Sequence, residues 1–98
     1  MKENYFQKEL IKKIKQLLPG CVVLKNDARY IQGIPDLSVF FGNRYFMLEC
    51  KRDSKSNKQP NQSIYVDHIN NMGGYARFIY PENEKEILDE IVSISRSS

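Results

Sequence analysis

The chain has 98 residues, with 15 Lys and Arg against 12 Asp and Glu for a formal net charge of +3, and 41% of it is hydrophobic. That length fits one domain over residues 1–98 with a modest core, and the apolar content excludes a disordered tail. A charge of this size suits a polyanionic partner but is also common among ordinary domains. No apolar run approaches the roughly 18 residues a bilayer span needs. The opening "MKENYFQKEL" is unlike a signal peptide, and Cys21 and Cys50 sit in apolar runs without metal-ligand spacing. A soluble cytoplasmic protein with reduced, buried thiols is therefore expected.

From Glu3 to Leu18, apolar residues Phe6, Leu10, Ile11, Ile14, Leu17 and Leu18 recur at helical spacing, and Pro19-Gly20 ends the pattern. At about 100° per residue, Phe6, Leu10, Ile14 and Leu17 share one face, with Glu3 and Gln7 near its centre and Glu9 turned toward solvent. "CVVLK" (21–25) predicts a strand, followed by a polar connection punctuated by Gly and Pro. In that connection Tyr30 is read as a cover for the core rather than a base-stacking residue. "DLSVFF" and "RYFMLECK" predict two strands joined at Gly42-Asn43, a tight antiparallel hairpin. After the polar stretch "RDSKSNKQPNQS", the segment "QSIYVDHINNMGG" predicts a helix with Ile64, Tyr65, Ile69 and Met72 near one face. His68, the one histidine, is read there as structural. "YARFIY" predicts a last strand and "ENEKEILDEIVSI" an amphipathic closing helix with an acidic first turn. The order αβββαβα indicates an α/β fold, a mixed central sheet flanked by helices.

The hairpin sets a register. If Phe41 faces Arg44, counting outward places Asp36 opposite Glu49, where directly opposed Cβ atoms lie about 4.5–5.5 Å apart. Two carboxylates at that separation repel unless a proton or cation lies between them. Lys51, two residues beyond Glu49, points to the same side of the sheet. The alternate residues Leu37, Val39, Phe41, Phe46, Leu48 and Cys50 form a continuous apolar face for the core. The acid pair suits a hard divalent cation such as Mg²⁺, which is often held by one or two carboxylates plus water and phosphate. A surface Glu49–Lys51 ion pair with Asp36 in a turn is the alternative. Glu3, at the open end of the first helix, is either a third group reaching the cluster or a first-turn acid favoured by the helix dipole.

"GIPDL", then "ECK", then "QPNQ" give this chain a resemblance to the PD-(D/E)XK nuclease superfamily, with its restriction-endonuclease-like αβββαβ core. More narrowly it resembles the small stand-alone VRR-NUC proteins of phages and bacteria, related in fold to Holliday-junction resolvases. The resemblance runs from Glu3 to about Ile79. It implies that Asp36, Glu49 and Lys51 are the motif residues, that Glu3 matches the acid on the first helix, and that Gln62 matches the glutamine opening the next helix. Gln59 stands where many relatives have serine, and competes with Gln62 for that role. The implied activity is Mg²⁺- or Mn²⁺-dependent DNA endonuclease action, selective for Holliday junctions or other branched DNA. Asp36, Glu49 and the Cys50 carbonyl would hold the metal, with Glu3 beside a second ion or a water, and Lys51 would steady the attacking water or the developing charge. The implied assembly is a homodimer. Lys25, Arg29, Arg52, Lys55 and Lys58 are candidate contacts to the DNA backbone. A non-catalytic nucleic-acid-binding module on the same scaffold is the alternative reading.

Overall fold

Phe6, Leu10 and Ile14 are buried along one side of α1 (Glu3–Leu17) in the computed structural model, which describes residues 2–97. Leu17 does not join them and is 46% exposed, whereas Leu18 is 3% exposed. The reason is local: the chain leaves helical geometry at Leu18, with φ −124° and ψ 74°, and that residue's side chain turns into the core. The chain then forms β1 (Val22–Lys25), β2 (Leu37–Phe41), β3 (Arg44–Cys50), α2 (Pro60–Asn71), β4 (Ala76–Ile79) and α3 (Glu84–Arg96). Among the described residues, no helix is long and apolar enough to cross a membrane.

The four strands lie side by side in chain order. β1–β2 and β2–β3 are antiparallel, while β4 runs parallel to β3 after the α2 crossover, so the sheet is mixed. The turn at Gly42-Asn43 has Gly42 at φ 61°, a conformation that costs glycine little. Phe41 pairs Arg44 and Leu37 pairs Leu48 as the hairpin count requires.

Strand alternation divides the side chains between two layers. Leu37, Val39, Phe46, Leu48 and Cys50 face α1 and α3 in the main core with Leu10, Ile14, Ile79, Leu88 and Ile91. The opposite face carries α2 in a smaller cluster of Val66, Ile69 and Ala76, with Met47 and Phe78 packed against it. Ile64 and Met72 stay outside, 62% and 61% exposed, because α2 turns the Val66–Ile69 side toward β3 and β4. Cys50 is buried but Cys21 only half-buried. The helix also starts two residues before the expected Gln62, at Pro60, where a missing N–H is no loss.

Candidate active site

Extending the β2–β3 ladder by one residue sets Asp36 against Glu49 on the α2 side of the sheet. Two main-chain donors tie the pair together. Asp36 N–H donates to Glu49 Oε1 at 3.1 Å, and Cys50 N–H donates to Asp36 Oδ2 at 2.9 Å. Each strand end thus holds the other strand's carboxylate, so the two acids cannot drift apart without breaking the hairpin's last rung. Glu49 is 3% exposed.

Lys51 follows at once. Its N–H donates to Ile79 O at 2.9 Å, which carries the parallel ladder past the end of β3 and fixes the backbone beneath its side chain. The ammonium donates to Gln62 Oε1 at 2.7 Å and stands 3.9 Å from Glu49 Oε2. Gln62 Nε2 donates to Glu49 Oε2 at 3.0 Å, and Gln59 N–H donates to Gln62 Oε1 at 3.2 Å. A lysine offers only donors, so it must meet the amide oxygen of Gln62, and the amide nitrogen is then left to face Glu49. Gln62 is therefore a bridge between base and acid, and its own orientation is fixed by the first turn of α2. Gln59 contributes its backbone N–H to that turn, and the side chain that donates to Glu49 is that of Gln62.

The electrostatics follow from this burial. Glu49's carboxyl is pushed up to about 8, first by removal from water and then by the Asp36 charge, with Lys51 opposing the rise. Asp36 is also raised, chiefly by burial, although the Cys50 N–H favours its ionised form. Burial, then the Asp36 charge, push the Cys50 thiol well above its ordinary range, which leaves it an inert core group.

Glu3 heads α1 at the same end of the molecule, near enough for its charge to add to the rise at Glu49. Yet among the described residues no three His, Cys, Asp or Glu side chains converge as a metal cluster, so the closed acid group is the Asp36–Glu49 pair. His68 is exposed on α2, about two turns beyond Gln62, and does not join it.

The five candidate backbone contacts are not gathered into one patch of free cations. Arg29 is clamped by Asp27, its Nε at 3.1 Å and Nη2 at 3.0 Å from the carboxylate. Arg52 pairs with Asp53 at 3.5 Å, and Lys58 lies 4.9 Å over the Phe78 ring. Lys25 and Lys55 are exposed.

Two features of the loop before β2 escape sequence reading. Asn26 donates from its side chain to Pro35 O at 3.0 Å and to Ser38 Oγ at 2.8 Å, while its N–H reaches Asp36 O at 2.7 Å. It thereby pins the start of β2 and with it Asp36. Its signal is positional only: an Asn just past β1, where the ladder brings it beside the acid. Tyr30 contradicts its expected role. At 87% exposure it does not cover the core; Ile31 and Ile34 of the same loop are the half-buried residues, and the ring projects outward.

The donor chemistry fits a hydrated hard cation. A buried carboxylate, Glu49, and a half-buried one, Asp36, meet with Lys51 nearby, and two opposed carboxylates are relieved by a proton or a cation between them. Mg²⁺ binds through one or two carboxylates and keeps several waters.

No family model and no curated protein matches the chain. A solved structure described as "VRR_NUC domain" is similar over 93% of this chain and 94% of its own, with a TM-score of 0.72 and 22% sequence identity. Helix order, the mixed four-stranded sheet and that superposition agree, and the chain has the α/β fold of that solved domain.

Proposed function

We propose that this protein is a Mg²⁺- or Mn²⁺-dependent DNA endonuclease that prefers branched DNA. The observation that carries the reading is the Asp36–Glu49 pair, with Glu49 buried and Asp36 half-buried, joined to Lys51 through Gln62. A surface ion pair, the ordinary explanation for such residues, does not bury both partners; here the side chains of Lys51 and Glu49 are 9% and 4% exposed.

Asp36 and Glu49 are the residues that would hold the metal, with the Cys50 carbonyl beside them. Such an ion polarises a phosphoryl oxygen and lowers the pKa of its bound water. Gln62 aims the Lys51 ammonium, so that its positive charge stands beside the acids, where an attacking water or the negative charge developing on phosphate would lie. Holding that ammonium in place before substrate arrives removes reorganisation from the chemical step. Glu3, more exposed and on a separate helix, suits a supporting part: a second ion or an oriented water. Lys25, Arg29, Arg52, Lys55 and Lys58 supply sequence-independent contacts to phosphates, Arg29 after exchanging Asp27 for DNA.

The same proposal includes a homodimer. Val22, Phe40 and Tyr45 pair across β1, β2 and β3 in one row, and Leu24 follows in the next. These four side chains are 54%, 44%, 38% and 48% exposed, on the part of the sheet face that α2 leaves uncovered. β1 is also a free edge. A second copy would cover both features, and Phe40→Asp would then lower the mass seen by light scattering from dimer to monomer.

Purified protein incubated with four-way junction, flap, duplex and single-stranded DNA, with Mg²⁺ or with EDTA, tests the activity. Cleavage in Mg²⁺ alone, fastest on a branched substrate, is expected. Metal-independent junction binding with no cleavage of any substrate would instead identify a non-catalytic binding module.

A further inference from the structure

Tyr30 is the most exposed large hydrophobic side chain among the described residues, at 87%. Exposed aromatic rings on loose tails are common, but this one stands on a turn fixed throughout its length. Tyr30 N–H and Ile31 N–H both donate to Asp27 O, at 3.0 and 3.3 Å. The Asp27 carboxylate also accepts from Arg29 N–H at 2.8 Å, and Ile34 N–H returns to Ile31 O at 3.2 Å.

Both ends of the turn are anchored to the candidate active site. At its start, Asn26 bonds Asp36 O and Ser38 Oγ, directly beside the first acid. At its end, Gly33 adopts φ +90° and lies so close to Asn61 that an added Cβ would meet that residue's atoms at 2.6–2.7 Å. Asn61 is the neighbour of Gln62. The turn that carries Tyr30 therefore bridges the start of β2, beside Asp36, and the first turn of the helix that supplies Gln62.

The turn contributes residues to two clefts, and Tyr30 lines the first of them. The first, of about 370 Å³, is lined by Lys25, Asn26, Asp27, Tyr30, Ile31 and Ile34: an apolar floor with the Lys25 cation and the Asp27 carboxylate, itself paired with Arg29, at its margin. The second, of about 390 Å³, is lined by residues that include Gln32, Gln59 and Asn61, which carry side-chain amides, and Gln62, whose amide is taken up by Lys51 and Glu49. An aromatic face, an apolar floor, a lysine for phosphate and a group of amides match the needs of one ligand, an unpaired nucleotide. Bases stack on aromatic side chains whatever their sequence, and amides can bond their exposed edges. A paired base cannot use the site, because both its faces are occupied within the duplex.

We infer that Tyr30 and its turn form a stacking site for an unpaired base of single-stranded DNA, placed beside the proposed metal site so that strands are cut next to a single-stranded segment. This rests on the nuclease reading for its functional meaning, but the binding itself does not.

The test is a titration in EDTA, where nothing is cut. A single-stranded oligonucleotide carrying 2-aminopurine is titrated with wild type, Tyr30→Phe and Tyr30→Ala protein, alongside a fully paired duplex. Loss of one stacked base should weaken single-strand binding by about 5- to 150-fold in Tyr30→Ala, with Tyr30→Phe close to wild type. The 2-aminopurine emission should be quenched by wild type and Tyr30→Phe and much less by Tyr30→Ala. Because the ring is exposed, Tyr30→Ala keeps the fold, which circular dichroism checks. Equal single-strand affinity in all three proteins, or equal quenching, would overturn the inference and leave the ring to some protein contact. If wild type cuts no DNA in Mg²⁺ but Tyr30→Ala still loses single-strand binding, the nuclease reading fails while the base site stands.

Discussion

Glu49→Gln should make the metal-free protein more stable at alkaline pH, although it removes a group that the fold surrounds with donors. In the folded chain Glu49's carboxyl is pushed up to about 8 from an ordinary value of 4.5. Between those two values the unfolded chain has given up its proton and the folded chain has not, so the native state binds more protons. Stability is then fully present below about pH 4.5 and falls as pH rises, by at most about 1.4 kcal/mol per pH unit. Across the whole window the ceiling is on the order of 5 kcal/mol, a large share of the roughly 5–15 kcal/mol that holds a domain of this size together. The glutamine of the Glu49→Gln variant has nothing to titrate, and its amide oxygen can keep the Asp36 N–H that Glu49 Oε1 now accepts. Urea unfolding followed by circular dichroism, in EDTA at several pH values between about 5.5 and 8.5, reads the effect. The wild-type midpoint should slide downward with pH more steeply than that of Glu49→Gln, which keeps only the raised Asp36 carboxyl of the pair. Mg²⁺ should lift the wild type at the alkaline end and not at the acid end, because a carboxylate must lose its proton to take a metal. A wild-type midpoint that stays level or rises with pH in EDTA would show that the acid pair is not strained in the way described.

Gln62→Ala should lower the rate or metal affinity by about 10- to 100-fold, the usual effect of losing a group that orients another, measured by cleavage kinetics and Mg²⁺ titration. Gln59→Ala retains the N–H that Gln62 uses, so its rate should stay close to wild type; the reverse ranking would assign the glutamine role to Gln59. Gly33→Ala forces a side chain against Asn61 in a left-handed conformation, which should cost roughly 1–3 kcal/mol in urea unfolding and reduce cleavage through displacement of the α2 N-terminus. Leu10→Ala, at a site 0% exposed, should cost about 2–5 kcal/mol while leaving the Mg²⁺ dependence of any activity unchanged.

The hairpin was legible because two short-range rules coincide in it. Gly42-Asn43 fixes a two-residue turn, and strand alternation then separates Leu37, Val39, Phe46, Leu48 and Cys50 from Asp36 and Glu49 without any tertiary information. The helices were legible as elements but less so as faces. Leu17 and Leu18 both suit the end of an apolar stripe, and only the backbone angles after Leu17 decide which one turns inward. Ile64 and Met72 look like core residues by type, yet which stripe of α2 is buried depends on how far the helix extends over the sheet. Tyr30 failed for a related reason: an aromatic ring in a loop is expected to seek cover, and whether it finds any is set by hydrogen bonds between residues 26 and 36 that periodicity does not describe. Gln62 could be matched to a motif, but its part as the bridge between Lys51 and Glu49 depends on α2 beginning where it does.

The claim at the centre is that Asp36 and Glu49 together hold the metal that cuts DNA. The most direct measurement is the cleavage rate of wild type and Asp36→Asn on the best-cut substrate in Mg²⁺, with folding of both verified. The account predicts metal-dependent cleavage by wild type and a loss of at least about 100-fold in Asp36→Asn. Cleavage by the variant at the wild-type rate would contradict it.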